Sequence, residues 1–182
     1  MSLAKTAAIC VLVGASLLVP VVPVRASSNL SSCPGSQSAC ARVVLGLINH
    51  ERAENGLPPL KLARTQSRGT RSCVGSLGHS LAMALSGAIW HTDRSYPQAS
   101  FPRNICVRHR VVGENVGQAT GAGELEAIHL IHDKMMSEPH SPQICASSHE
   151  HACIILRGSF QKVGIGIYYV SGTTWLTEDF TG

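Results

Sequence analysis

The chain has 182 residues, with 15 lysines and arginines against 11 aspartates and glutamates and 44% hydrophobic side chains. That length favours one domain with a real core. The basic residues are scattered rather than striped, and once the N-terminal segment described next is set aside they number 13 against 11, a balance that excludes nucleic-acid binding. Residues 1–26 read as a secretory signal: Lys5, an apolar run from Ala7 to Val24 broken by Gly14, Pro20 and Pro23, and Val24-Arg25-Ala26 as the cleavage site. A membrane anchor is the other reading of such a run; the prolines and the cleavage pattern favour removal. No other stretch is apolar for long enough to span a bilayer. The expectation is an exported monomer without a membrane span, made of a polar linker over residues 27–37 and one domain over 38–182.

In that domain Ser38 is the expected cap of a first helix, Ala39–Asn55, with Val44, Leu47, Ile48, Glu51 and Arg52 at helical spacing and Gly56 as its stop. Leu57-Pro58-Pro59-Leu60 is extended, because proline forbids continuation. A second helical region is expected between Arg64 and Ser86. Its apolar face would be Leu77, Leu81, Ala84 and Leu85, and Gly69, Gly75 and Gly78 weaken its first part. Gly87 ends it, just before Ile89-Trp90-His91. Tyr96 to Pro102 is loop. A third helix is expected over Gly123–Ser137, with Leu125, Ile128, Leu130, Ile131, Met135 and Met136 as apolar positions and Pro139 and Pro142 as stops. His129 and His132 lie three apart on it, one turned to the core and one to solvent.

After a histidine- and serine-rich loop over residues 140–150, the run Val163 to Tyr169 alternates. Val163, Ile165, Ile167 and Tyr169 point one way; Gly164, Gly166 and Tyr168 point the other. That is a strand with one buried face, and its glycines mark a place where another backbone or a ligand comes close. Ser171-Gly172 supplies a turn, and Thr173 to Glu178 returns as a hairpin partner. Helices before strands indicate an α+β domain with helices on a mostly antiparallel sheet. Without the signal segment six cysteines remain, Cys33, Cys40, Cys73, Cys106, Cys145 and Cys153. An even number in an exported chain suggests disulfides rather than a thiolate zinc site. Many pairings are open; short local loops favour Cys33–Cys40 and Cys145–Cys153, which leaves Cys73–Cys106.

Four pieces in order resemble the CAP superfamily (cysteine-rich secretory proteins, antigen 5, pathogenesis-related 1), in particular its bacterial SCP-like extracellular domains. They are Asn49-His50-Glu51-Arg52 leading to Gly56-Leu57-Pro58-Pro59-Leu60; His79-Ser80 with Met83 and then His91; Gly113-Glu114-Asn115-Val116; and Ser148 to Leu156 followed by Phe160 and Val163-Gly164-Ile165-Gly166. His149 and Glu150 stand where bacterial members usually have Pro-Gly, and Ile154 where they usually have Asn. The resemblance implies a three-layer α-β-α sandwich whose cleft gathers His91, Glu114, Glu138 and His151. If the longer loop folds differently, His140 or His149 would replace His151. Two imidazoles with two carboxylates suit a divalent cation such as zinc or magnesium, or a pair of proton-transfer partners. The resulting expectation is a secreted binding protein, more a binder than an enzyme, holding a cation and an extracellular ligand such as a lipid or envelope component. The alternatives are a metal-dependent hydrolase with Glu114 or Glu138 as base, and a disulfide-stabilised interaction module without activity. No serine or cysteine sits in a nucleophile motif.

Overall fold

A computed structural model describes Cys33, Cys106 and residues 36–71, 73–91 and 111–182. The expected signal segment, most of the linker and the loop from Tyr96 to Pro102 lie outside the described residues.

Helix α1 (Gln37–Glu54) buries Cys40, Ala41, Val44, Ile48 and Arg52, one stripe at steps of about four residues. It begins two residues earlier than expected: Ser36 is the cap, its carbonyl receiving the amides of Ala39 and Cys40, and Ser38 lies inside the first turn. Arg52 is wholly buried at the end of this stripe. Its guanidinium donates to the carbonyls of Pro58 (2.9 Å), Ile155 (2.8 Å), Arg157 (3.1 Å) and Phe160 (3.5 Å). One side chain thus ties the helix to the two segments that precede strands.

The region from Arg64 to Ser86 is two helices, α2 (Arg64–Arg68) and α3 (Gly75–Ser86). Gly69 and Gly75 adopt φ of +81° and +67°, conformations that suit glycine. A Cβ at Gly69 would lie 2.5 Å from the carbonyl oxygens of Cys73 and Val74. The expected apolar face of α3 is also corrected. The buried side is Gly75, Ser76, His79, Ser80 and Met83, while Leu85 is 80% exposed.

The sheet explains that reversal. Strands β2 (Val112–Thr120), β3 (Lys162–Val170) and β4 (Thr173–Thr181) are antiparallel, and the two-residue β1 (Lys61–Leu62) runs parallel to β3. The order is β1-β3-β4-β2. Ser171 and Gly172, at φ of 50° and 75°, make the tight turn between β3 and β4. Gly164 and Gly166 face α3, as the alternation required. A Cβ on Gly166 would strike the backbone of Ser76, and one on Gly164 would lie 2.5 Å from Gln66 Cγ. Where α3 passes over these glycines there is room only for small side chains, so its serines face inward and hydrogen-bond. Ser76 Oγ donates to Asp179 Oδ2 at 2.6 Å, and Ser80 Oγ lies 2.9 Å from both the Gly166 carbonyl and Thr177 Oγ1.

The opposite face carries the apolar core, where Val163, Ile165, Leu176 and Phe180 meet Val44 and Ile48 of α1 and Ile128 of α4 (Glu124–Met136). In α4 the buried positions are Ala127, Ile128, Ile131, His132 and Met135; Leu130 is half exposed. His132 faces inward and His129 outward, as expected. Burial pushes the His132 pKa down.

The short helices α5 (Pro142–Cys145) and α6 (His151–Ile155) follow, joined by a disulfide from Cys145 to Cys153; the others are Cys33–Cys40 and Cys73–Cys106. The architecture is therefore α+β, a three-layer α-β-α sandwich around a mostly antiparallel, open sheet. Strand β2 lies between helices in the sequence, so the helices-first order holds only for the hairpin of β3 and β4.

Candidate functional site

The alternation of β2 sends Glu114 to the α3 face of the sheet, directly across from Asp179 on β4. Its carboxylate meets two imidazoles there. His79 of α3, 1% exposed, places Nδ1 3.3 Å from Glu114 Oε2, and His91, beyond the end of α3, places Nδ1 2.9 Å from Glu114 Oε1. Gly87, in the left-handed conformation, ends α3 and turns the chain so that Trp90 packs on His79, ring centroids 4.5 Å apart.

A second pair comes from the other layer. Glu138 lies just past α4 and His151 opens α6. Glu138 Oε1 lies 2.7 Å from His151 Nδ1, while Oε2 accepts the His151 backbone amide, also at 2.7 Å. Burial alone would raise the Glu138 pKa. The ring and amide hydrogen bonds from His151, with the charge of that ring, outweigh it and hold the carboxyl below the ordinary carboxylate range.

The two pairs face each other. The His91 and His151 rings are 6.4 Å apart between centroids, with their planes 29° from parallel. All four expected residues therefore converge at one edge of the sheet. His140 and His149 are exposed, and His140 Nδ1 meets the Glu138 carbonyl rather than its carboxylate; it is His151 that reaches Glu138. In each pair a carboxylate oxygen faces Nδ1; with the proton on that nitrogen, Nε2 is the basic nitrogen of the neutral ring. That arrangement orients imidazoles for holding a cation or for moving a proton.

Three participants were not singled out from the sequence as site residues. His79 entered only as part of a motif, yet it holds the second oxygen of Glu114. Asn115, one residue beyond Glu114 and therefore on the opposite face, donates from Nδ2 to the His151 carbonyl at 3.3 Å and to Glu178 Oε2 at 3.1 Å. Glu178 is completely buried; burial pushes its carboxyl up to about 7 against the opposing hydrogen bond from Asn115. The strand alternation around Gly113-Glu114-Asn115 contained this signal, since consecutive polar residues on a strand serve both of its faces.

Cys33, Cys40 and Glu124 also bring ligand-type atoms within 4.8 Å of one another. The two sulfurs are bonded to each other, and Glu124 Oε2 accepts the Cys33 amide at 3.3 Å. No thiolate is available there, so this cluster is a structural staple.

No family model matches the chain. It is 26% identical over 157 residues to the uncharacterized protein YkwD of Bacillus subtilis (strain 168), a match covering 86% of this chain and 52% of that relative. The chain thus spans about half the length of the curated relative it matches. Among solved structures it is similar to an extracellular protein containing a SCP domain from Bacillus anthracis str. Ames. That likeness has a TM-score of 0.51 and 18% identity, over 82% of this chain and 45% of that one. It is also similar to an outer surface protein from Borrelia burgdorferi, with a TM-score of 0.52 and 10% identity, over 80% of this chain and 94% of that one. At these identities the likeness concerns the fold.

Proposed function

On the SCP (CAP) fold that this chain adopts, we propose that the cleft formed by His91, Glu114, Glu138 and His151 holds a divalent cation, zinc or magnesium, in an exported protein that binds an extracellular ligand beside it. One observation carries this reading: two histidine–glutamate pairs from different layers face each other across the rim of the sheet, ring centroids 6.4 Å apart. Imidazoles whose Nδ1 is engaged by a carboxylate have their tautomer and orientation set for ligation through the other nitrogen. The carboxylates also bring the negative charge that a cation needs. Bound there, a cation would supply Lewis-acid polarisation of a ligand oxygen.

Export is supported by the apolar N-terminal stretch and by the three disulfides, which persist in oxidising compartments. No described helix is long and apolar enough to cross a membrane. A lipid or other envelope component is the ligand class proposed, in keeping with the apolar groove of about 390 Å³ that adjoins Glu138 and His151.

Calorimetry with zinc and with magnesium tests the cation reading, on the oxidised protein and on a His91→Ala, His151→Ala double variant. One equivalent bound by the wild type and none by the variant is the expected result. Equal binding by both, or none by either, removes the cleft as a cation site.

A further inference from the structure

The edge of the sheet opposite the cleft holds a second concavity. Strand β1 pairs with β3 through Lys61 and Leu62, against Lys162 and Val163, while β3 continues to Val170. Beyond Leu62 no strand pairs with this edge of β3 among the described residues. Helix α2 stands there instead, and Ser67 Oγ accepts the Ile165 amide at 3.0 Å. The first turn of α1 comes up from the other layer. Between the two helices lies a cavity of about 190 Å³.

The lining of this cavity is basic. Arg42 of α1 and Arg64 and Arg68 of α2 border it, with Gln37, Ser38 and Leu62. All three arginines are exposed, and among the described residues none forms an ion pair with a carboxylate. No acidic residue lines the cavity among the described residues. The arrangement costs the fold something. Arg64 and Arg68 stand one turn apart on one face of a five-residue helix, where like charges oppose helix formation. The first turn of α1 carries no acidic side chain to offset the positive end of its dipole. Elsewhere in the chain the basic residues are scattered, so the excess of positive charge here is local.

We propose that this cavity binds a phosphate monoester. Guanidinium groups present paired N–H donors that match phosphate oxygens, and they stay charged across the whole range in which the protein is folded. A carboxylate carries one charge and two oxygens, which a single guanidinium fork satisfies. A phosphate monoester carries nearly two charges and three free oxygens, so it is able to engage arginines of α1 and α2 together. The half-buried Leu62 offers an apolar contact to the carbon atoms of the ester. The site does not depend on the cation reading, because none of its residues is among the four proposed to hold the ion. Soluble phosphate esters and the headgroup of phosphatidic acid both present this chemistry, and the test separates them.

The test is calorimetry with glycerol 3-phosphate in phosphate-free buffer. The oxidised full chain is first stripped of metal on a chelating resin, so that failure of the cation reading leaves the result untouched. The wild type is expected to bind one equivalent. An Arg64→Gln, Arg68→Gln double variant and, separately, Arg42→Gln bind at least about tenfold more weakly. These side chains are exposed and belong to two different helices, so a folding defect in one variant leaves the other to decide. Arg64→Lys, Arg68→Lys keeps the charge without the planar fork and binds more weakly than the wild type but more tightly than the glutamine pair. Sodium acetate at the same concentration does not displace the ester from the wild type, a result that needs no variant. Sedimentation with phosphatidylcholine vesicles, with and without phosphatidic acid, identifies the source. Pelleting that requires phosphatidic acid and is lost in the glutamine pair assigns a lipid headgroup; binding of glycerol 3-phosphate without pelleting assigns a soluble ester. The proposal falls if neither glycerol 3-phosphate nor phosphatidic acid is bound, or if either the glutamine or the lysine variants bind as the wild type does. It also falls if acetate displaces the ester.

Discussion

On one side of the sheet Ile165, Leu176 and Phe180 interdigitate with Val44, Ile48 and Ile128, and the layer is held by apolar volume. On the other side Gly164 and Gly166 lie against α2 and α3, and the layer is held by closeness: Ser76, Ser80 and Gln66 reach Asp179, Thr177 and the strand backbone through hydrogen bonds. Both faces come from the same strands, with the side-chain alternation assigning each residue to its layer. The difference teaches that a helix can be buried on its polar side where glycines let it approach the sheet and the strands offer polar partners to its serines. The candidate site sits where the two regimes meet at the rim of β2. Glu114 and the histidines of the close-packed layer stand opposite Glu138 and His151 of the apolar one.

The sharpest way to break this contrast is to remove volume from the apolar face. Ile165→Ala leaves a cavity among fully buried neighbours and is expected to lower unfolding stability by about 4 kcal/mol in urea titration.

The buried acid on that same face gives the next effect. The Glu178 carboxyl is held at about 7 in the folded protein against 4.5 for its ordinary value. The native state therefore binds its proton more tightly than the unfolded chain, and the contribution of this group to stability is full below pH 4.5 and is lost as pH rises through about 7. Glu178→Gln keeps a group for Asn115 to meet and removes the charge. At pH 8 the variant is expected to be more stable than wild type by about 3 kcal/mol, with the two converging near pH 4.5 in matched urea titrations.

On the glycine face it is added atoms, rather than lost ones, that do the damage. Gly166→Ala drives a methyl into the Ser76 backbone and should cost about 2 kcal/mol, with no rescue by Ser76→Gly, since the backbone remains. Gly164→Ala meets side-chain atoms, Gln66 Cγ at 2.5 Å and Ser76 Oγ at 2.8 Å, rather than backbone. Its expected cost is about 1 kcal/mol, with part recovered in Ser76→Gly. Equal costs at the two glycines, or rescue of Gly166→Ala, would mean that backbone closeness does not hold this layer.

The strand β3, its turn at Ser171-Gly172, the first and third helices and the Cys33–Cys40 and Cys145–Cys153 pairings were legible because they depend on local period, turn chemistry and short loops. Cys73–Cys106, 33 residues apart, followed only as the remaining pair. The four residues of the cleft were named through family resemblance, and the structure brings them together in two pairs. Less was readable where partners are distant. The periodicity of α3 pointed to Leu77, Leu81 and Leu85 as a core face. What turned the helix over was a glycine pair some eighty residues further along the chain. Short parallel strand β1 and the edge strand β2 also escaped the sequence, since two residues give no period and the Gly-Glu-Asn run lacks an apolar alternation.

By itself the sequence determined the elements that local chemistry specifies: which runs alternate, which helices have an apolar stripe, where glycine and proline end them, and which cysteines lie near enough to close small loops. Only the tertiary structure decided which face of α3 is buried, that His79 shares Glu114 with His91, and that Asn115 links the cleft to a buried Glu178 on the far side of the sheet. Those outcomes depend on contacts between residues far apart in the chain, where the space left by one layer sets the side chains that the next is able to present.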